Sequence, residues 1–237
     1  MRAIWHDIEC GGYVEDLEVW RGLAHRQGGP ILDVGAGTGR VTLDLARQGY
    51  AVTALDVCGE LLATLRERAA GLDVTTVVAD ARSFELDRRF PLCLVPMQTI
   101  QLLGGAEGRG RFLDCARDHL TAGGLVAIAI ADELEPFETS TATLGPLPDV
   151  QEIDGTVYSS RPTAVRITGD RFVLERRRET VTIDGRLDVE DDVIGLDRLG
   201  ATTLTAEGIA HGLRADSRIE IAPTEEYVGS TVVILRG

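Results

Sequence analysis

Between residues 30 and 131, short apolar stretches alternate with amphipathic ones, and this alternation constrains the fold more than any other feature of the chain. PILDV, YAVTALDV, LDVTTVVAD, FPLCLVP and GGLVAIAIAD are almost continuously apolar, as strands buried on both faces must be. Between them VTLDLARQ, ELLATLRERAAG and GRFLDCARDHL carry apolar residues at helical spacing, the first two closed by Gly49 and Gly71. Strands that alternate with helices through right-handed crossovers build a parallel sheet covered on both faces. The reading is a doubly wound α/β fold.

After residue 131 the pattern changes. Residues 132–150 are rich in Pro, Thr and Glu and read as a loop. Residues 151–196 contain no helical spacing; polar and apolar residues alternate, with turn signals at Gly169-Asp170 and Asp184-Gly185. This is an antiparallel β insertion. Phe172, Leu174, Val181, Ile183 and Val193 recur on its strands, with Arg176, Arg178 and Glu190 among them. An apolar sheet face needs a cover. The expectation is that it packs over the carboxyl edge of the main sheet, where such folds bind ligands, and walls the site there, the competing outcome being a homodimer through the insertion. LTAEGIAHGL then reads as a last helix, and SRIEIAP and GSTVVILRG as two last strands. Leu17, Trp20, Leu23 and Ala24 mark a helix in an N-terminal cap over 1–29, leaving 30–237 as the main domain, interrupted by 151–196.

A chain of 237 residues can bury a sizeable core as one domain with an insertion. Its formal net charge of -14 repels phosphate backbones and anionic lipid heads, so neither nucleic acid nor membrane is an expected partner. The opening MRAIWHDIECGGYVED has acids where a signal peptide needs an apolar run, and LVAIAIA is far shorter than the ~20 residues of a membrane helix. Cys10, Cys58, Cys93 and Cys115 lie far apart with no CxxC and read as free thiols. Together these point to a cytoplasmic protein. Asp188, Glu190, Asp191 and Asp192 sit at strand spacing without a glycine-centred loop, so they read as a solvated face, and no metal is expected.

The stretch ILDVGAGTGRVTLDLARQG carries the chemistry. Gly35, Gly37 and Gly39 let the backbone turn tightly and approach a ligand, while the following helix points its amide-rich end there. A dinucleotide fingerprint needs G-x-G-x-x-G, but the sixth position here is Arg40. Asp33, late in the strand, would repel a pyrophosphate; it suits a ligand with an ammonium group and a sulfonium. Asp56 ends the second strand, where a carboxylate accepts ribose hydroxyls. Asp80 ends the third, where an acid accepts from an adenine amino group.

At these residues the chain resembles the class I S-adenosylmethionine-dependent methyltransferases, in particular their small-molecule branch. LDVGAGTGR is similar to the family's first motif, ALDVCGELL to its ribose-binding stretch, VVADAR to its adenine-binding stretch and HLTAGGLVAIAI to its fifth strand. The resemblance implies a seven-stranded, mostly parallel sheet of order 3214576 with the last strand antiparallel, and the β insertion between strands 5 and 6. It implies that Asp33 and the loop Gly35, Ala36, Gly37, Thr38 and Gly39 hold the methionine part of S-adenosylmethionine, Asp56 the ribose, and Asp80 with Ala81 the adenine. Leu61 stands where the family packs a side chain on the adenine, Val57 and Met97 line the same slot, and Tyr13 closes over the cofactor. Pro91 departs from the acid often found at the start of the fourth strand, and VPMQTIQLL replaces the motif of enzymes that methylate nucleic-acid bases.

The reaction implied is direct displacement of the methyl group onto nitrogen or oxygen of a small-molecule acceptor. An amine need only arrive deprotonated, whereas a hydroxyl needs a base. Asp132 and Glu133, just past the fifth strand, and His6 in the cap are candidates for that base; Gln98 and Gln101 are candidates for binding the acceptor. A non-catalytic S-adenosylmethionine-binding regulator, and an NAD-dependent oxidoreductase, are the alternatives.

Overall fold

The computed structural model describes residues 1–139, 145–224 and 227–237. The chain divides into two compact units, one made of Met1–Gly12 and Glu133–Arg198, the other of Tyr13–Asp132 and Leu199–Gly237.

The second unit is the doubly wound sheet. Its strands are β1 (Ile31–Val34), β2 (Val52–Asp56), β3 (Val74–Val78), β4 (Phe90–Val95), β5 (Leu120–Ile130), β11 (Arg214–Ile221) and β12 (Ser230–Arg236). They lie in the order β3-β2-β1-β4-β5-β12-β11, with β12 antiparallel to both neighbours and the remaining pairs parallel. Counting the last two as sixth and seventh, this is the expected 3214576. The helices are α2 (Leu17–Gln27), α3 (Arg40–Arg47), α4 (Gly59–Arg68), α5 (Gly105–Asp118) and α6 (Ala201–Ala210), α1 being Arg2–His6 of the first unit.

Strand alternation separates two cores. Leu32, Val34, Cys93, Val95, Val126, Ile128, Val233 and Leu235 pack in one with Phe112, Leu113 and Leu204 of α5 and α6. Ile31, Leu92, Leu94, Ala127, Val232 and Ile234 pack in the other with Trp20, Leu23, Val41 and Leu45 of α2 and α3. Successive residues of β1, β4, β5 and β12 thus face opposite layers, which is why these strands are almost wholly apolar. Asp33 is the exception in β1. By parity it belongs to the layer of Trp20, and it is 1% exposed.

The first unit is an antiparallel sheet of β6 (Phe137–Glu138), β7 (Asp149–Ile153), β8 (Thr156–Thr168), β9 (Arg171–Val181) and β10 (Leu187–Asp197), in the order β10-β9-β8-β6 with β7 also on β8. The expected loop at 132–150 therefore contains β6 and the start of β7; its residues 140–144 lie outside the described ones. Pro162 does not break β8. A bulge between Pro162 and Ala164 absorbs it, in the gap between the stretch paired with β7 (Thr156–Ser160) and the stretch paired with β6 (Ala164–Val165).

The register also corrects the expected apolar face. Phe172, Leu174, Arg176 and Arg178 share one side of β9, opposite Leu196, Ile194, Asp192 and Glu190. Val181 and Val193 point to the other side, and Ile183 lies in the turn after β9. Residues 1–12, expected in a cap with 13–29, lie on the first of these sides. Glu9 there accepts from Arg178 Nε at 2.7 Å, Arg178 Nη2 at 2.8 Å and the Ser160 hydroxyl at 2.7 Å, and the Trp5 ring stands edge-on to Tyr158. No helix among the described residues is long and apolar enough to cross a membrane.

Candidate cofactor site

The carboxyl end of β1 runs into a turn with three left-handed glycines: Gly35 at φ 75°, Gly37 at 55° and Gly39 at 98°. Two of these are fixed by close approach as well as by φ. A Cβ on Gly35 would overlap Thr99, and one on Gly39 would overlap Leu65 of α4. Gly39 is also the N-cap of α3, so the turn ends where that helix offers its first amides.

Three acids stand at the ends of β1, β2 and β3. Asp33 Oδ2 accepts from the Thr42 hydroxyl at 2.6 Å, while Oδ1 is buried without a hydrogen-bond partner. Burial pushes its pKa up to about 6, against the pull of Thr42 and of the Arg40 charge. Asp56 is tied to the turn: Oδ2 accepts the Gly37 N–H and Oδ1 the Cys58 N–H, both at 2.8 Å. Asp80 is forked by Arg82, with Nε 2.9 Å from Oδ1 and Nη2 2.6 Å from Oδ2, and it also accepts the Arg82 N–H at 2.8 Å. These bonds hold its pKa down at about 2.

Around them, Ala81 is buried in the core, Leu61 is half-buried on α4, and Val57 is exposed after β2. Met97, just past β4, adopts φ 55°, a conformation seldom taken by a residue other than glycine. Tyr13 is buried, its ring 5.0 Å from that of Tyr227 and 5.2 Å from the Arg40 guanidinium. All the residues expected to touch a cofactor thus belong to one unit. His6 and Glu133 belong to the other.

Gln101 needs correction as an acceptor-binding residue. It is fully buried, its Oε1 accepting the Ala131 N–H at 2.8 Å and its Nε2 donating to the Ala131 carbonyl at 3.1 Å. The ladder between β4 and β5 ends at Val95 and Ile128, and the side-chain amide takes a strand's place beside Ala131. Gln98, half-buried, begins the same turn, Thr99–Leu102. Asp132 follows Ala131, with Oδ1 buried and without a hydrogen-bond partner; burial raises its pKa, while the Ala201 N–H and Thr231 pull it the other way.

Sequence reasoning missed the residues that hold these groups in place. In the sequence Arg40 registers only as an absent glycine, yet it forms a forked pair with Asp16, 2.5 and 2.7 Å long, and donates to the Tyr13 carbonyl at 2.8 Å. No motif in the sequence marks Thr42 or Arg82. An arginine directly after a glycine turn is a visible signal, but its partner 24 residues earlier is not.

Residues 31–124 match the family described as "Methyltransferase domain". Over 114 residues the chain is 30% identical to the cypemycin N-terminal methyltransferase of a Streptomyces species, covering 47% of this chain and 46% of that protein. The chain thus spans about half the length of the curated relative it matches. Among solved structures it is similar to the sugar N-methyltransferase KedS8 of a Streptoalloteichus species, with 19% identity and a TM-score of 0.75 over 100% of this chain and 93% of that one. It is also similar to CalS10, an amino pentose methyltransferase of Micromonospora echinaspora solved with S-adenosylmethionine bound, with 19% identity and a TM-score of 0.71 over 96% and 93%. Identities this low establish the common fold, and the matched residues 31–124 are the part of it that carries the glycine turn.

Proposed function

We propose that the chain is an S-adenosylmethionine-dependent methyltransferase acting on nitrogen or oxygen of a small molecule. The observation that carries this reading is Asp33: a buried carboxylate beside the glycine turn, with one oxygen bonded to Thr42 and the other without a partner. That oxygen suits an ammonium donor, and its charge opposes a pyrophosphate, which weighs against NAD.

In this reading Asp33 and the backbone of Gly35, Ala36, Gly37, Thr38 and Gly39 hold the methionine part, Asp56 the ribose, and Asp80 with Ala81 the adenine. Leu61, Val57 and Met97 line the adenine slot, and Tyr13 shields the cofactor. When bound, S-adenosylmethionine supplies a methyl group already activated as a sulfonium substituent. The chain's own work is then to orient the acceptor, exclude water and, for a hydroxyl, accept a proton. Asp132, with its raised pKa, is the proposed proton acceptor, and Gln98 the proposed acceptor ligand. The named relatives are an N-terminal, a sugar N- and an amino pentose methyltransferase, and a chain of net charge -14 draws cations, so amine acceptors come first.

Titration calorimetry with S-adenosylhomocysteine and with NAD tests the cofactor; binding of NAD alone overturns the reading. Methyl-labelled cofactor incubated with amino sugars, amino-terminal peptides and a metabolite extract tests the reaction. Binding without transfer to any acceptor favours a regulator.

The second face of the insertion sheet carries Val181, Leu187, Val189 and Val193, each between 38% and 63% exposed. The paired charges of Arg177 and Asp191 lie among them. We propose that this face joins two copies of the chain, each Arg177–Asp191 pair meeting its mate across a twofold axis. Sedimentation of Val189→Lys with Val193→Lys checks this: the wild type runs as a dimer and the variant as a monomer. A monomeric wild type overturns it.

A further inference from the structure

Arg40, the residue after the glycine turn, is nearly enclosed: its side chain is 10% exposed and that of Asp16 is 1%. One guanidinium makes the fork to Asp16, the bond to the Tyr13 carbonyl and a stacking contact with the Tyr13 ring. It thereby fixes residues 13–16, which precede α2 and belong to neither helix nor strand, against the first turn of α3. A buried ion pair is a poor way to gain stability alone, because desolvation offsets most of the attraction. Its position suggests another use. The charged groups that face Asp33 are Arg40 from α3, Asp56 from the end of β2 and Asp16 from the turn before α2, with the Thr42 hydroxyl alongside. Arg40 is the cation among them.

We propose that Arg40 is a positioning residue for the amino-acid end of the cofactor: it locks Tyr13 against the first turn of α3 and balances Asp33, the acid that receives the ammonium group. This rests on the cofactor reading above. Asp33 already titrates at about 6 because it is buried, and Arg40 opposes that rise. With the Arg40 charge gone, Asp33 keeps its proton to higher pH and the ammonium loses its counterion. Asp16 raises the Asp33 pKa less than Arg40 lowers it, so removing both charges still moves the titration upward.

The test is the affinity for S-adenosylhomocysteine, measured by calorimetry from pH 5 to 8. Arg40→Met alone strands a buried Asp16 and is at risk of unfolding, so the informative protein is the double variant Arg40→Met, Asp16→Asn, with its fold checked by circular dichroism. Wild-type affinity should fall as pH drops through about 6. In the folded double variant the fall should begin at higher pH, with binding at pH 7 weakened about tenfold, as expected for losing roughly one charge-assisted bond. A pair that merely braced the fold would not move the midpoint. Unchanged midpoint and affinity in a folded double variant overturn the proposal while leaving the cofactor reading intact. A wild type that binds no S-adenosylhomocysteine overturns both.

Discussion

Asp56 accepts the N–H of Gly37 at 2.8 Å, so the acid at the end of β2 braces the glycine turn at the end of β1. The same carboxylate accepts the Cys58 N–H, which makes it a strut as well as a proposed ribose ligand. Asp56→Ala should weaken S-adenosylhomocysteine binding at least about tenfold, since charge-assisted bonds contribute about 1.5–3 kcal/mol each. It should also lower stability, because two N–H groups lose their acceptor. Asp56→Asn keeps an acceptor oxygen and should fall between the two. Calorimetry and urea unfolding on the same preparations check both effects; unchanged affinity in a folded Asp56→Ala places the ribose elsewhere.

Asp33 makes stability depend on pH in an unusual direction. Its pKa is raised from 3.8 to about 6 on folding, so between those values the folded chain binds more protons than the unfolded one. Stability from this group is therefore present at low pH and lost as pH rises through about 6. Relative to Asp33→Asn, the wild type should lose about 2 kcal/mol between pH 4.5 and 7.5. Urea unfolding at the two pH values reads that difference, and a difference independent of pH contradicts it. Asp33→Asn should meanwhile bind S-adenosylhomocysteine more weakly.

Gly39 cannot carry a side chain without displacing Leu65, and its φ of 98° penalises one independently. Gly39→Ala should cost about 2–4 kcal/mol of stability from overpacking and backbone strain combined. Gly49, also left-handed but with open space around it, provides the control: Gly49→Ala should cost about 1 kcal/mol. Thermal melts of the two variants side by side test the comparison.

Gln101→Leu keeps the volume and removes the clamp on Ala131. Two buried backbone groups then lose their partners, which should cost about 2–4 kcal/mol. If the residue bound the acceptor instead, stability would hold while acceptor KM rose. Chemical unfolding together with steady-state kinetics separates the two roles.

Much of this protein was determined by its sequence alone. The doubly wound sheet follows from strands that are almost continuously apolar, because only a sheet covered on both faces buries them. The place of the glycine turn came from local signals within a few residues of each other, and the order 3214576 only from the family resemblance that those motifs carry. The tertiary structure decided whatever depended on partners far apart in the chain. Nothing near Gln101 in sequence says that Ala131 needs a substitute strand, nor near Arg40 that Asp16 is its counterion. Phe172 and Val193 read alike in sequence, yet the register of β9 against β10 sends them to opposite sides, because side-chain direction depends on pairing. Residues 1–12 and 13–29 form one stretch of chain, but Glu9 finds Arg178 and Asp16 finds Arg40, and those long-range charge pairs assign them to different units.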